Sequence, residues 1–149
     1  MNQEKYIYNN TLPEENQNTI REILQTASEI NNLHLKYLKP FHLSVQQYQI
    51  LHILRSAYPD SLTVQSLKAN MVDKTPNLTR MVDKLLAQKM VSRVRSNKDR
   101  RKVYIRITEK GIEFMTRIDF AQKDFLKLTD KLTLDETGQL TSLLHKLRR

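Results

Sequence analysis

Apolar positions recur every three or four residues from Ile20 to Leu38, through Ile23, Leu24, Ala27, Ile30, Leu33 and Tyr37, the spacing that lays one apolar stripe along an α-helix. Thr11-Leu12-Pro13-Glu14 reads as its start. Glu14 stands three residues after the threonine, as in a capping box, and proline falls in the first turn, where a missing N–H costs little. Lys39-Pro40 stops the run. A second helix opens at Ser44, with Gln47 completing another capping box. Tyr48, Leu51 and Leu54, flanked by Ile50 and Ile53, make it apolar over a wide arc, so it is predicted to be a buried central helix. Tyr58-Pro59-Asp60 closes it.

Beyond this point the pattern shortens. A brief extended piece around Leu62 precedes Thr63 as an N-cap and a short helix through Leu67 to about Asn70, with a turn over Met71 to Lys74. Thr75-Pro76 predicts the next helix start, hydroxyl as cap and proline at the first helical position, with Leu78, Val82, Leu85 and Leu86 as the buried stripe. From Val91 the period falls to two. Val103, Ile105 and Ile107 alternate with Tyr104 and Arg106, and Met90 to Arg95 is predicted to pair with them across a hairpin tipped by Asn97 to Arg101. Thr108 then caps a long helix in which Phe114, Ile118, Ala121, Phe125, Leu128 and Leu132 form a seam suited to burial between subunits. Thr133-Leu134-Asp135-Glu136, a third capping box, opens a last helix with Leu140, Leu143, Leu144 and Leu147 on one face and Lys146, Arg148 and Arg149 at its end. The expected fold is mainly α with a small β-hairpin: a winged helix-turn-helix over 43–107, with dimerisation helices over 11–39 and 108–149, in a single unit spanning 1–149.

Composition narrows the chemistry. Two glycines, four prolines and no cysteine in 149 residues fit a helix-rich chain without disulfides, thiolate metal sites or a thiol switch. No apolar run is long enough to span a bilayer and no secretory leader is evident, so the expected location is cytoplasmic, without a membrane partner. His34, His42, His52 and His145 are scattered with no carboxylate at ligand spacing, and two glycines are too few for most phosphate-binding loops. No catalytic residue, metal or cofactor is expected.

Charge changes the picture more. Leu62 to Thr108 holds twelve basic residues and three acids, while the remainder of the chain is balanced, so this third carries the entire net charge of +9. Segregated cations are the footprint of phosphate neutralisation, whereas a surface charged only for solubility would spread them evenly. On the helix from Pro76, the residues Thr75, Pro76, Asn77, Thr79, Arg80 and Lys84 lie opposite or beside the apolar stripe, and a duplex major groove is their expected partner. Asn matches an adenine edge and Arg a guanine edge, while Lys84 suits phosphate. Lys74, Arg95 and Lys102 are further phosphate candidates. At the hairpin tip Lys98, Arg100 and Arg101 crowd like charges, which suits the negative potential of a minor groove, and Asp99 is placed to orient an arginine.

Leu43 to Leu54, Thr63 to Leu67, Thr75 to Arg80, Val91-Ser92-Arg93 and above all Asp99-x-Arg101-x-x-x-Ile105-x-Ile107-Thr108-x-x-Gly111 resemble the MarR family of bacterial transcription regulators, over nearly the whole chain. The resemblance implies a homodimer with its first, fifth and sixth helices intertwined, the helix from Pro76 in the major groove, and Arg101, oriented by Asp99, in the minor groove. It also implies repression from an inverted-repeat operator and release by a small aromatic or anionic ligand bound between the dimerisation and DNA-binding parts. His34, Tyr37, His42, Tyr48 and His52, near the junction of the first two helices, are candidates to line such a cleft, or equally packing residues with satisfied polar tips. Lys89 stands where the family often has glycine; a left-handed backbone there would cost on the order of 1 kcal/mol. The alternative reading is an architectural or RNA-associated protein without ligand response. RNA readers stack bases on exposed aromatics, and the basic segment offers only Tyr104.

Overall fold

The structure, a computed structural model, describes residues 13–72, 77–95 and 102–148, with the side chain of residue 126 left aside. The first helix, α1, spans Glu14–Leu38 and is followed by a 3-10 turn over Lys39–Phe41. Its N-cap is Pro13, which makes no capping side-chain bond, so the helix starts later than the sequence suggests; Thr11 lies outside the described residues. α2 (Val45–Ala57) begins as expected. Ser44 Oγ accepts from the Gln47 N–H at 3.1 Å, and Gln47 Oε1 accepts from the Ser44 N–H at 3.1 Å, so two otherwise unpaired donors of the first turn are satisfied. Tyr48, Ile50, Leu51 and Leu54 are buried, which makes α2 the axis of the core.

The helix-turn-helix follows from local chemistry. Thr63, on the two-residue strand β1 (Leu62–Thr63), caps α3 (Val64–Asn70) by accepting from the Ser66 N–H at 3.1 Å. α4 spans Leu78–Ala87 and buries Leu78, Val82 and Leu85. Its N-cap is Asn77, two residues beyond the expected Thr75 cap; Thr75 and Pro76 lie outside the described residues. At its other end Lys89 is left-handed, with φ of 61°. The Met90 N–H donates to the Leu85 carbonyl (3.0 Å) and the Lys89 N–H to the Leu86 carbonyl (2.9 Å), the bond pair of a Schellman motif, in which that position normally favours glycine.

Strands β2 (Val91–Arg95) and β3 (Val103–Ile107) pair antiparallel in the register Val91↔Ile107, Arg93↔Ile105 and Arg95↔Val103, with β1 on the far side of β3. Period-two alternation therefore puts Val91, Arg93 and Arg95 on one face with Ile107, Ile105 and Val103. That face is buried at Val91, Ile105 and Ile107 and is exposed at Arg93, Arg95 and Val103, where the core runs out.

Thr108 caps α5 (Glu109–Ala121) by accepting from the Gly111 N–H at 3.1 Å. The long helix expected to run to Leu132 is interrupted. α5 ends at Ala121, followed by α6 (Lys123–Leu126) and a 3-10 turn over Leu128–Lys131. The break falls at Gln122, a fully buried amide that leaves helical geometry and donates from Nε2 to Tyr48 Oη at 2.7 Å. Nor is the expected seam all outward. Ile118 is buried in the core of this chain, Phe114 packs edge-on against Phe41, and Phe125 stacks on His34 at 4.6 Å. The last helix, α7 (Leu134–Leu147), has the Thr133/Glu136 capping box and no buried residue. Leu134 is 95% exposed, and Leu140, Leu143 and Leu147 are also exposed.

Candidate nucleic-acid interface

Two opposed faces define α4. Leu78, Val82 and Leu85 close on the core, and Asn77, Thr79, Arg80, Asp83 and Lys84 are exposed. The Asn77 side chain makes no cap hydrogen bond although the residue stands at the cap. Arg80 and Lys84 enter no ion pair among the described residues, and neither do Arg95 and Lys102 on the exposed end of the hairpin. A groove of about 300 Å³ separates helix from hairpin, lined by Thr79, Val82, Asp83, Arg93, Arg95 and Val103 among others. The polar side of α4 and the open end of the sheet thus flank one depression. Lys74, Thr75 and Pro76 before α4, and Lys98, Asp99, Arg100 and Arg101 at the hairpin tip, lie outside the described residues.

Across this groove Arg93 donates from Nη2 to Asp83 Oδ1 at 2.6 Å. The sequence signal for this pair is Asp83, one of only three acids in the basic segment, and Arg93, which shares the strand parity of Val91 and Arg95.

A second set of contacts grips the far end of α4. Thr108 Oγ1 lies 2.8 Å from the Lys89 carbonyl and 3.0 Å from that of Met90, Lys110 Nζ donates to the Gln88 carbonyl at 2.9 Å, and the Thr108 N–H donates to the Met90 carbonyl at 3.0 Å. Gly111 is what lets α5 come so close: a Cβ there would lie 2.3 Å from the Met90 carbonyl oxygen and 2.7 Å from Ile107 Cγ1. The carbonyls that follow α4 are thereby tied to the first turn of α5 and its cap. On the other flank, Arg55 clamps Asp119 through Nη1 and Nη2, at 2.6 and 3.3 Å, fixing α2 to α5.

A cleft of about 330 Å³ between α2, the end of α3 and α6 is lined by Tyr48, Gln49, His52, Ile53, Asn70, Val72 and Phe125. Of the residues expected there, Tyr48 and His52 line it. His34 lies behind, between Phe125 and Tyr48, its ring 4.8 Å from that of Tyr48. Tyr37 and His42 are not among the lining residues; His42 sits exposed and left-handed after the 3-10 turn. Burial lowers the His34 pKa, and its Nε2 is buried without a partner. Burial likewise raises the Tyr48 pKa, partly countered by the bond from Gln122. Phe125, expected in a subunit seam, lines this cleft instead, beyond the helix break at Gln122. Among the described residues no group of three or more histidine or carboxylate side chains could hold a metal ion, and no helix is long and apolar enough to cross a membrane.

Residues 32–118 match the family described as transcriptional regulator SarA/Rot. Among solved structures, the chain is similar to a cysteine-to-serine mutant of MarR from E. coli complexed with operator DNA, at 28% identity and a TM-score of 0.74, covering 87% of this chain and 92% of that one. It is also similar to the reduced form of MarR from E. coli, at 29% identity and a TM-score of 0.67 over 95% of this chain and 100% of that one. AbsC, a MarR family transcriptional regulator from Streptomyces coelicolor, shares the fold at a TM-score of 0.82 and 23% identity, covering 93% of this chain and 95% of that one.

Proposed function

Because the chain belongs to the SarA/Rot family of transcriptional regulators, we propose that it acts as a homodimeric repressor that binds duplex DNA sequence-specifically at an inverted repeat. The reading rests on one observation: the polar side of α4 and the open end of the hairpin border the same groove, with Thr79 and Arg95 on its two walls. A duplex seated there meets the helix in its major groove and the hairpin in the neighbouring minor groove. Asn77, Thr79 and Arg80 then face base edges, with Thr75 and Pro76 at the helix entry. Lys74, Lys84, Arg95 and Lys102 neutralise phosphates, and Lys98, Asp99, Arg100 and Arg101 form the minor-groove tip. The structurally similar E. coli MarR mutant complexed with operator DNA supports the assignment.

The division of labour follows. Residues 43–107 bind DNA, and the helices of 11–39 and 108–149 dimerise. The bare leucine face of α7, together with exposed Ile20, Leu24, Ile30 and Leu35 on α1, gives apolar surface for a second copy to cover. A small aromatic ligand in the cleft beside Tyr48 and His52 releases the repressor by shifting the DNA-binding part, through α2, against the dimerisation helices. Such a protein works in the cytoplasm.

Selection from random duplexes with the purified protein tests the reading. It is expected to enrich two half-sites about 10 bp apart, centre to centre. A pool without enriched symmetry, or one outcompeted by single-stranded RNA, refutes it.

A further inference from the structure

Asp83 is an acid on a face that otherwise presents Asn77, Thr79, Arg80 and Lys84. Three residues from Arg80 on one helix, it is within pairing reach of that guanidinium. A carboxylate here could oppose DNA docking twice over, by drawing Arg80 onto itself and by repelling phosphate. In the structure it does not pair with Arg80. Asp83 accepts instead from Arg93 at 2.6 Å. Arg93 reaches it because residues 91, 93 and 95 share a strand face and the sheet lies across the groove from α4. The two side chains remain 56% and 52% exposed, so the pair sits at the mouth of the groove and adds little to fold stability.

We propose that Arg93 is the resident counter-ion of Asp83. It holds the carboxylate away from Arg80 and cancels its charge where phosphates approach. Arg93 is thus a positioning residue of the reading face and not itself a phosphate ligand. The inference rests on the reading that the Arg80 face of α4 meets DNA.

The test compares Arg93→Ala, Asp83→Asn and the double variant by fluorescence anisotropy on a selected duplex, between about 50 and 200 mM salt. Arg93→Ala should bind about tenfold more weakly, because a bare carboxylate then faces the duplex. Asp83→Asn alone should bind no more weakly than the parent. The double variant should return to within about twofold of the parent, with the parent's dependence on salt. If Arg93 contacts phosphate, the double variant stays weak and its slope of log K against log salt is shallower by about 0.9. If the pair only braces hairpin to helix, the double variant stays weak and all three melt well below the parent, whereas the proposal expects melting points within ~2 °C of it. Either result overturns the proposal, as does parental binding by Arg93→Ala. Arg80→Ala, measured alongside, separates the two levels. Parental binding by that variant defeats the DNA-reading assignment itself, while weakened binding without rescue in the double variant defeats only the counter-ion role.

Discussion

Replacing Lys89 with glycine should make the protein more stable, although it removes a side chain and touches no core residue. Lys89 holds the left-handed C′ position after α4, at φ of 61°. Its geometry is fixed from both sides: its N–H donates to the Leu86 carbonyl at 2.9 Å, and its carbonyl lies 2.8 Å from Thr108 Oγ1. An L-residue with a Cβ pays about 1–2 kcal/mol for this conformation. Glycine escapes that cost but loses about 0.5–1 kcal/mol more conformational entropy on folding. The balance favours glycine by about 1 kcal/mol, or roughly 2–4 °C in melting temperature for a chain of this size. Thermal melts of the parent, Lys89→Gly and Lys89→Ala at one protomer concentration measure it. Alanine keeps the Cβ and should melt close to the parent. A glycine variant melting at or below the parent would refute the reasoning.

Other outcomes follow from the same contacts. Gly111→Ala should destabilise by about 3 kcal/mol, since its methyl collides with the Met90 carbonyl and Ile107; a denaturant midpoint equal to the parent's would mean that α5 can move away. Burial holds the His34 pKa below its ordinary 6.5, so the unfolded chain takes up this proton more readily. Stability from this group is therefore full above about pH 6.5 and is lost as pH falls through the lowered value; His34→Phe should flatten that limb of a stability-against-pH curve, and an unchanged limb would count against it. Leu143→Lys, on the bare face of α7, should turn a dimer into a monomer in sedimentation equilibrium. A dimer of unchanged affinity would move the interface elsewhere.

What could be read in the sequence was what local chemistry decides. Ser44, Thr63, Thr108 and Thr133 each cap a helix through their own hydroxyls within three residues, so short patterns sufficed. Alternation gave the hairpin, because a strand with one covered face has period two. The break at Gln122 was not legible, since the hydroxyl that its buried amide bonds there belongs to Tyr48, 74 residues away in sequence. The same distance effect hid Phe125 in the lining of the cleft, since it arrives only after that break. α4 starts at Leu78 where Thr75-Pro76 predicted Pro76, a difference of two residues at a helix end.

Whether side chains of α4 read bases is decided by measuring Arg80→Ala against a selected operator and every single-base variant of one half-site. If the guanidinium reads a base, affinity for the operator falls by about 1–3 kcal/mol and discrimination disappears at one position per half-site while persisting at the others. An equal loss on every sequence, or none, would contradict the account.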